Sequence, residues 1–344
     1  MNLIYVLHMK IYKNIFEDII SVENLLSAWD EFKKGKRGKR DVQEFEFRLE
    51  DNLFALHQEL KSKRYKHGEY VGFYINDPKK RHIHKATVRD RIVHHAIHRK
   101  LYPIFNPTFV YTSYSSRKEK GTHRAVIKLA KMLRAVNQTY GRCFVLKCDI
   151  KKFFPTIDHK VLMKIISKTI KDKDALWLIK KIVKSFESEF TTKRDKKGTP
   201  IGNLTSQILV NVYMNKMDQF IKEQLKAKYY VRYADDFIIA HHNQDYLFDL
   251  KNQIESFLKK KLKLSLHPGK VIIRKYHQGI DFLGYVILPK AILLRTKTKQ
   301  RIFRKMKQRV KEYRQGRIDE EKLMQSFNSY LGVLSHAKSY KLEQ

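Results

Sequence analysis

The feature that most constrains the fold of this chain is an acid pair, Asp235-Asp236, inside a run of β-forming residues from Lys228 to Ala240. Aromatic and β-branched side chains stand on both sides of the pair, which predicts two short strands with the acids at the bend between them. Two adjacent carboxylates beside apolar strands are costly to bury unless a cation neutralises them. The bend is therefore interpreted as a platform for a divalent metal, and a solvated turn is the alternative for an acid pair taken alone.

Asp149 supplies a further carboxylate. It ends the apolar run from Cys143 to Ile150, so it is also predicted to lie where a strand finishes. Two metal ions held by acids from two neighbouring strands form the arrangement used for in-line phosphoryl transfer. This hypothesis requires Asp149 to converge with the Asp235-Asp236 bend in the folded chain.

The chain is strongly basic. Its 344 residues include 72 Lys and Arg against 35 Asp and Glu, which gives a formal net charge of +37. A charge of this size indicates a polyanionic partner, and nucleic acid is the usual one. A membrane surface is the rival polyanion, but no apolar run approaches the roughly 20 residues of a spanning helix, so we expect no membrane partner.

The two cysteines, Cys143 and Cys148, lie five residues apart in one predicted strand. This spacing puts them on opposite faces, where they cannot form a disulfide with each other. Buried free thiols are typical of a reducing compartment. The opening segment, Met1 to Leu7, is too short for a secretory signal, so we expect a cytoplasmic protein.

Apolar residues at helical spacing predict a helix from Val22 to Phe32 and a second helix with the apolar residues from Val42 to Leu60 on one face. The basic, glycine-interrupted run from Lys33 to Arg40 separates them. Its cations suit contact with a phosphate backbone, and a solvated loop is the alternative.

Five short motifs then follow one another: Asp149–Phe154, Pro200–Gln207, Tyr233–Asp236, His267–Lys270 and Gly279–Tyr285. In this order they resemble the successive palm motifs of a reverse transcriptase, and the resemblance runs from about Asn14 to Leu342. It implies an α+β, right-hand polymerase fold with fingers, an RRM-like antiparallel palm sheet and a helical thumb. The implied domains are N-terminal helices and fingers at 1–145, a palm at 146–288 with a helical connection within 155–200, and a basic helical thumb at 289–344.

The resemblance implies an RNA-directed DNA polymerase that uses two Mg²⁺ ions, or Mn²⁺. The implied metal ligands are Asp149, Asp235, Asp236 and the backbone carbonyl of Ile150. Lys270 matches the lysine near the pyrophosphate leaving group, which makes it a candidate catalytic residue with the three acids. A surface lysine at a turn is the alternative for Lys270.

The resemblance also implies a site for the incoming dNTP, formed by Lys79, Arg81, Phe154, Ile201, Gly202 and Gln207. The sequence predicts a β-hairpin with Tyr70–Ile75 and Arg81–His84 as its strands, and this hairpin corresponds to the fingers. The planar fork of Arg81 suits the triphosphate, because it pairs with two phosphate oxygens at once. Phe154 matches an aromatic that blocks a ribose 2′-hydroxyl, and Gly202 lets the backbone approach a base pair closely.

Residues implied to contact the template RNA and the primer or cDNA lie in two segments: Arg117, Lys118, Gly121, Thr122, His123, Gly284 and Tyr285. The first five precede a predicted helix, where cations and backbone amides suit a template phosphate. The last two belong to a predicted hairpin that grips the primer end. A basic helix predicted at 297–313 and a second helix predicted at 319–331 correspond to the thumb.

Two positions depart from the commonest family pattern, which has glutamine in place of Ile201 and proline in place of Gln207. In this the chain is similar to reverse transcriptases of diversity-generating retroelements. Such enzymes make error-prone cDNA, with errors at template adenines, in mutagenic retrohoming, and they work with a small basic accessory protein, the accessory variability determinant. A phage-defence or other unassigned bacterial reverse transcriptase, and a catalytically silent RNA-binding scaffold, are the alternatives.

Overall fold

The fold was analysed in a computed structural model, which describes residues 10–77 and 79–337. The described residues divide into two compact units that are both discontinuous in sequence. Unit 1 contains 10–110 apart from residue 78, 151–219 and 257–265, and unit 2 contains 111–150, 220–256 and 266–337. Both units combine helices with antiparallel strands, which confirms the mixed α and β class predicted from the sequence.

In chain order the α-helices are α1 (Phe16–Ile20), α2 (Val22–Lys33), α3 (Arg40–Phe47), α4 (Leu49–Lys61), α5 (Val88–Phe105), α6 (Thr122–Tyr140), α7 (Phe153–Thr156), α8 (His159–Thr169), α9 (Lys173–Lys184), α10 (Leu204–Gln219), α11 (Gln244–Phe257), α12 (Thr296–Arg314) and α13 (Glu320–Leu334). The strands are β1 (Val71–Ile75), β2 (Arg81–Lys85), β3 (Phe144–Asp149), β4 (Tyr229–Tyr233), β5 (Asp236–His241), β6 (Ile272–Lys275), β7 (Ile280–Phe282), β8 (Tyr285–Ile287) and β9 (Ile292–Leu294).

Unit 1 is built around α5, which packs against α1, α2 and α10. The side chain of Thr87 caps α5 by accepting a hydrogen bond from the Asp90 backbone N–H, and Ser21 caps α2 in the same way through Asn24. The predicted β-hairpin is present as β1 and β2, with Phe73 opposite Ile83. Its sheet has two strands among the described residues.

The single helix predicted from Val42 to Leu60 is wrong. The chain leaves helical geometry at Arg48, whose φ of −124° and ψ of 47° separate α3 from α4. The Asn52 side-chain amide donates to the Phe45 carbonyl at 3.1 Å, so a carbonyl freed by the break keeps a partner. Because buried residues lie on both sides of a break of one residue, hydrophobic periodicity does not reveal it.

Unit 2 contains a four-stranded antiparallel sheet in the order β4-β5-β3-β6 and a three-stranded sheet in the order β7-β8-β9. Helix α6 packs against β4, β5 and β8, and its apolar face forms one core with both sheets. Cys143 and Cys148 are buried, free thiols, as predicted. Burial raises the pKa of each to about 12, so both stay protonated at neutral pH.

The basic helix predicted at 297–313 and the helix predicted at 319–331 are present as α12 and α13, and the two pack against each other. No helix within 10–77 and 79–337 combines the length and the apolar character that crossing a bilayer requires.

Candidate active site and nucleic-acid interface

The acid pair lies at the tight turn between β4 and β5. Tyr233 and Asp236 are paired across the two strands, so Ala234 and Asp235 alone form the connection. Ala234 has a φ of 54°, in the left-handed region that residues with a Cβ rarely adopt. Such backbone strain is concentrated at functional sites, where the surrounding structure maintains it.

Asp149 lies directly opposite Asp236, because β5 pairs with β3 in an antiparallel register. Directly opposed residues project from the same face of a sheet, with Cβ atoms roughly 4.5–5.5 Å apart. The order β4-β5-β3 therefore brings Asp149 to the same end of the sheet as the Asp235-Asp236 turn.

Asp236 has a raised pKa. Burial is the main reason that its pKa is raised to about 6, and the negative charges of Asp149 and Asp235 add to the effect. The ammonium groups of Lys147 and Lys270 oppose it. One carboxylate oxygen of Asp236, Oδ1, is buried without a hydrogen-bond partner. A buried, unpaired carboxylate oxygen beside two further acids fits a hard divalent cation, which takes oxygen ligands.

Two lysines balance the charge of the acids. Lys270 Nζ donates to Oδ1 of Asp149 at 2.9 Å. Lys147 Nζ lies 3.9 Å from Oδ2 of Asp236 and donates to the Asp281 carbonyl at 2.8 Å. Across 10–77 and 79–337, no group of three or more His, Cys, Asp or Glu side chains is arranged to hold a metal ion. In this structure Asp149 forms an ion pair with Lys270, and Asp236 forms one with Lys147.

The segment before Lys270 is attached to the end of β3. The His267 backbone N–H donates to the Asp149 carbonyl at 2.8 Å, and Ile150 forms an isolated antiparallel bridge with Leu266. A short 3₁₀ turn, Pro268–Lys270, follows, and the His267 side chain accepts from the Gly269 N–H. This turn directs Lys270 back to the carboxylate.

Arg232 is a residue that the sequence reasoning missed. Its side chain is fully buried in β4, and it donates to the Ala234 carbonyl at 3.0 Å and to Ser113 Oγ at 2.9 Å. One guanidinium thus holds the strained turn against the loop that pairs with β4. A charged residue in the middle of the apolar run from Lys228 to Ala240 was the available signal, because an unpaired buried charge is very costly.

Lys147 was missed as well. In β3 it lies two residues before Asp149, so strand alternation puts both side chains on one face. The alternation was visible in the sequence, but the proximity to Asp236 depends on which strand lies beside β3.

The residues predicted to bind dNTP lie in unit 1. Lys79 lies in the turn of the β1–β2 hairpin and Arg81 begins β2, and both are exposed. The loop before α10 is attached to this hairpin, because the His84 N–H donates to the Ile201 carbonyl at 3.1 Å. Gly202 has a φ of +116°, and a Cβ there would lie 2.9 Å from Cγ2 of Ile83.

Gly202 and Gln207 line one cavity of about 370 Å³ under the hairpin. Phe73, Ile83 and Lys85 of the hairpin contribute to the same cavity. Phe154 lies in the short helix α7, half-buried beside the ring of Phe153. Within unit 1 the structure brings Gly202 and Gln207 together, whereas Phe154 is outside the set that lines this cavity.

The residues predicted to contact nucleic acid lie in unit 2. Gly121, Thr122, His123, Gly284 and Tyr285 line a cleft of about 700 Å³. The cleft is also lined by cationic and polar side chains that the sequence did not single out: Lys120, Arg124, Thr298, Arg301 and His336. Thr122 and His123 form the start of α6 rather than preceding it. Arg117 and Lys118 lie in the loop before α6 and are not among the residues that line the cleft.

Tyr285 is a core residue as much as a cleft residue. It is 2% exposed, and its hydroxyl donates to the Val333 carbonyl at 3.0 Å. Gly284 and Leu283 both have positive φ, which makes the tight two-residue turn between β7 and β8. A Cβ on Gly284 would lie 3.1 Å from Oγ1 of Thr298, so glycine permits the close approach of α12.

A comparison with protein-family models matches residues 66–287 to the family described as reverse transcriptase (RNA-dependent DNA polymerase). This span is well over half of the chain. It begins before β1, ends with β8 and includes all the predicted metal ligands.

Curated proteins also show similarity. Protein YkfC of Escherichia coli is 27% identical over 278 residues, which cover 71% of this chain and 73% of YkfC. The group II intron-encoded protein LtrA of Lactococcus lactis is 26% identical over 307 residues, 69% of this chain and 50% of LtrA. The putative COX1/OXI3 intron 2 protein of Saccharomyces cerevisiae is 24% identical over 256 residues, 57% of this chain and 29% of that protein. The chain thus spans half or less of the latter two relatives.

Proposed function

Because this chain belongs to the reverse transcriptase (RNA-dependent DNA polymerase) family, we propose that it adds dNTPs to the 3′ end of a primer on an RNA template. Family membership confirms the prediction made from the order of the motifs. The observation that carries the proposed chemistry is the cross-strand pairing of Asp149 with Asp236 beside the Asp235 turn.

We propose that Asp149, Asp235, Asp236 and the backbone carbonyl of Ile150 hold two Mg²⁺ ions. Support comes from the unpaired Oδ1 of Asp236 and from the raised pKa of that carboxyl, since both indicate negative charge that a cation would neutralise. When bound, such ions lower the pKa of the primer 3′-hydroxyl and neutralise charge on the triphosphate.

Lys270 has two proposed tasks. In the absence of substrate its ammonium pairs with Asp149, which limits repulsion among the acids. During the reaction we propose that the same ammonium donates a hydrogen bond to the departing pyrophosphate. A flexible lysine on a short turn suits this change of partner, because its three donors rotate freely.

For nucleotide selection we propose that Lys79 and Arg81 bind the triphosphate and that Phe154 excludes a 2′-hydroxyl by steric contact. Gly202 admits the nascent base pair, since a larger residue would already collide with Ile83. Gln207 faces the same cavity and supports a role beside that pair.

We propose that the sheet β4-β5-β3-β6 is the palm, the β1–β2 hairpin the fingers, and the pair α12 and α13 the thumb. The cleft between the loop before α6, the β7–β8 turn and these two helices then holds the backbone of a primer–template duplex. Its lining is rich in cations and contains no acidic side chain among the described residues.

The finer biological role rests on Ile201 and Gln207. We propose error-prone cDNA synthesis in a diversity-generating retroelement with an accessory protein. An apolar Ile201 cannot form the hydrogen bonds with which a glutamine side chain would constrain the position of the base. Primer extension on RNA with and without such a protein, followed by sequencing, tests this; equal error rates at template adenines in the wild type and in Ile201→Gln would contradict it.

The experiment that tests the polymerase proposal is primer extension on an RNA template by the wild type, Asp235→Asn and Asp249→Asn. Asp249 is an exposed acid of α11 in the same unit and serves as the matched control. We expect Asp235→Asn to abolish extension while duplex binding is retained, because basic residues supply most of the affinity. Full extension by Asp235→Asn would refute the assignment, and a wild type that binds RNA without extending the primer would favour the silent scaffold.

A further inference from the structure

A buried histidine of α5 has no part in the proposed reaction. His94 is 1% exposed, and both of its ring nitrogens have partners on other segments of unit 1. Nδ1 is hydrogen-bonded to Oγ1 of Thr205, and Nε2 lies 3.1 Å from Nε2 of His67. We call these three side chains the histidine bridge, because they join α10 through α5 to the segment that leads into β1.

The two hydrogen bonds of His94 depend on each other. Burial lowers the pKa of His94 to about 3, so at pH 7 its neutral ring has one donor nitrogen and one acceptor nitrogen. The hydroxyl of Thr205 and the ring of His67 must therefore meet His94 in opposite roles. Removing either partner leaves a buried nitrogen unpaired, which costs more than a hydrogen bond itself contributes.

One end of the bridge is anchored to a buried acid. His67 Nδ1 donates to the Gly68 carbonyl at 2.6 Å, and the Gly68 N–H donates to Oδ2 of Asp90 at 2.9 Å. Asp90 is fully buried in the first turn of α5 and also accepts from the hydroxyls of Tyr65 at 2.7 Å and Thr87 at 2.6 Å. These bonds fix His67 to the start of α5.

The other end of the bridge holds the wall of the cavity that contains Gly202 and Gln207. Thr205 is 1% exposed in the first turn of α10 and lies between these two residues in sequence. Gly202, Gln207 and His94 itself line the cavity. A shift of Thr205 would therefore move the residues that are proposed to lie beside the nascent base pair.

We propose that His94 is a positioning residue for the incoming nucleotide: through Thr205 it fixes the first turn of α10, and with it Gly202 and Gln207. The inference rests on the proposed function, since it names a residue that supports the proposed nucleotide site. In this role His94 takes no part in phosphoryl transfer, so its loss should weaken nucleotide binding equally before and during the reaction. Uniform weakening raises KM and leaves kcat nearly unchanged.

The test is single-nucleotide primer extension on an RNA template, with the dNTP concentration varied. His94→Leu and Thr205→Val remove the hydrogen bond between the two residues, and we expect each to raise KM for dNTP about tenfold with kcat within about threefold of wild type. His94→Gln and Thr205→Ser keep a donor and an acceptor and should stay within about threefold of the wild-type KM. His98→Leu, at a partly exposed position of α5 outside the cavity lining, is the matched control.

The double variant His94→Leu/Thr205→Val tests whether the two residues act as one unit. If they do, its KM should be no higher than that of either single variant, whereas independent effects would multiply. A thermal melt of every variant measures stability separately. If His94→Leu does not fold, the comparison of Thr205→Val with Thr205→Ser decides the question in the same way.

A KM for His94→Leu within about twofold of wild type would overturn the proposal, as would an equal rise in KM with His94→Gln or with His98→Leu. A lower melting temperature with an unchanged KM gives His94 a purely structural role and overturns it too. Absent extension by the wild type refutes the polymerase proposal and this one with it. Normal extension by the wild type together with an unchanged KM in His94→Leu refutes the positioning role alone.

Discussion

Replacing Asp236 by asparagine should stabilise the fold while abolishing its proposed chemistry. Asp236 is a carboxylate whose pKa is raised from 3.8 to about 6, chiefly by burial and then by the charges of Asp149 and Asp235. A tenfold change in an acid dissociation constant corresponds to about 1.4 kcal/mol, so the ionised form destabilises the folded state by about 3 kcal/mol. Asp236→Asn removes the charge and keeps the shape, so without metal its free energy of unfolding should exceed that of wild type by up to about 3 kcal/mol.

The pH dependence has a definite sign. An acid whose pKa is raised in the folded state loses its proton first in the unfolded chain. Wild-type stability should therefore fall as the pH rises from about 4 to about 6 and then level off, whereas Asp236→Asn lacks this decrease. The two proteins should be similar near pH 4 and differ most above pH 6.

Thermal and urea unfolding in EDTA, at several pH values, measures this difference. In a folding unit of 150–250 residues, each kcal/mol shifts Tm by roughly 2–4 °C, so an increase near 5–10 °C is expected at pH 7.5. Asp249→Asn, at an exposed position of α11, should leave Tm unchanged. Mg²⁺ should stabilise the wild type more than Asp236→Asn. An Asp236→Asn protein that is no more stable than wild type at pH 7.5 in EDTA would refute the reasoning.

Three further substitutions test other parts of the site. Arg232→Met removes the hydrogen-bond donor to the Ala234 carbonyl and to Ser113 Oγ. It should lower the free energy of unfolding, measured in urea, by about 2–4 kcal/mol. Arg142→Met, at an exposed position, is the control and should change little. Gly202→Ala places a Cβ 2.9 Å from the Ile83 side chain at a backbone φ of +116°. It should lower the free energy of unfolding by about 1–3 kcal/mol and reduce primer extension. Gly38→Ala is the control, because no atom lies within 4 Å of the added Cβ there. Phe154→Ala should raise ribonucleotide incorporation in primer extension at least about tenfold, and unchanged sugar selection would contradict the steric role.

Local patterns in the sequence predicted much of this architecture. The β-forming runs around Asp149 and around the Asp235-Asp236 pair became β3, β4 and β5 with the acids at strand ends. The β1–β2 hairpin and the two C-terminal helices, α12 and α13, also lie where alternation and helical spacing put them. These features depend on contacts between residues close in sequence, which is why the pattern alone carries them.

The interior lysine and arginine of the site could not be assigned in the same way. Lys147 and Arg232 look like ordinary charged residues until strand pairing places one beside Asp236 and buries the other under the turn. The break at Arg48 is similar, since one non-helical residue leaves the apolar repeat intact.

The sequence by itself determined the chemistry that this protein can offer: carboxylates at strand ends, a large positive charge, a hairpin with an arginine, and membership of a polymerase family. Only the tertiary structure decided that β5 lies between β4 and β3, which makes Asp149 the partner of Asp236. It also decided that burial and neighbouring charge raise the pKa of one of the acids. The physical reason is that strand pairing and desolvation join segments more than 80 residues apart, and no local periodicity encodes which distant segment becomes the neighbour.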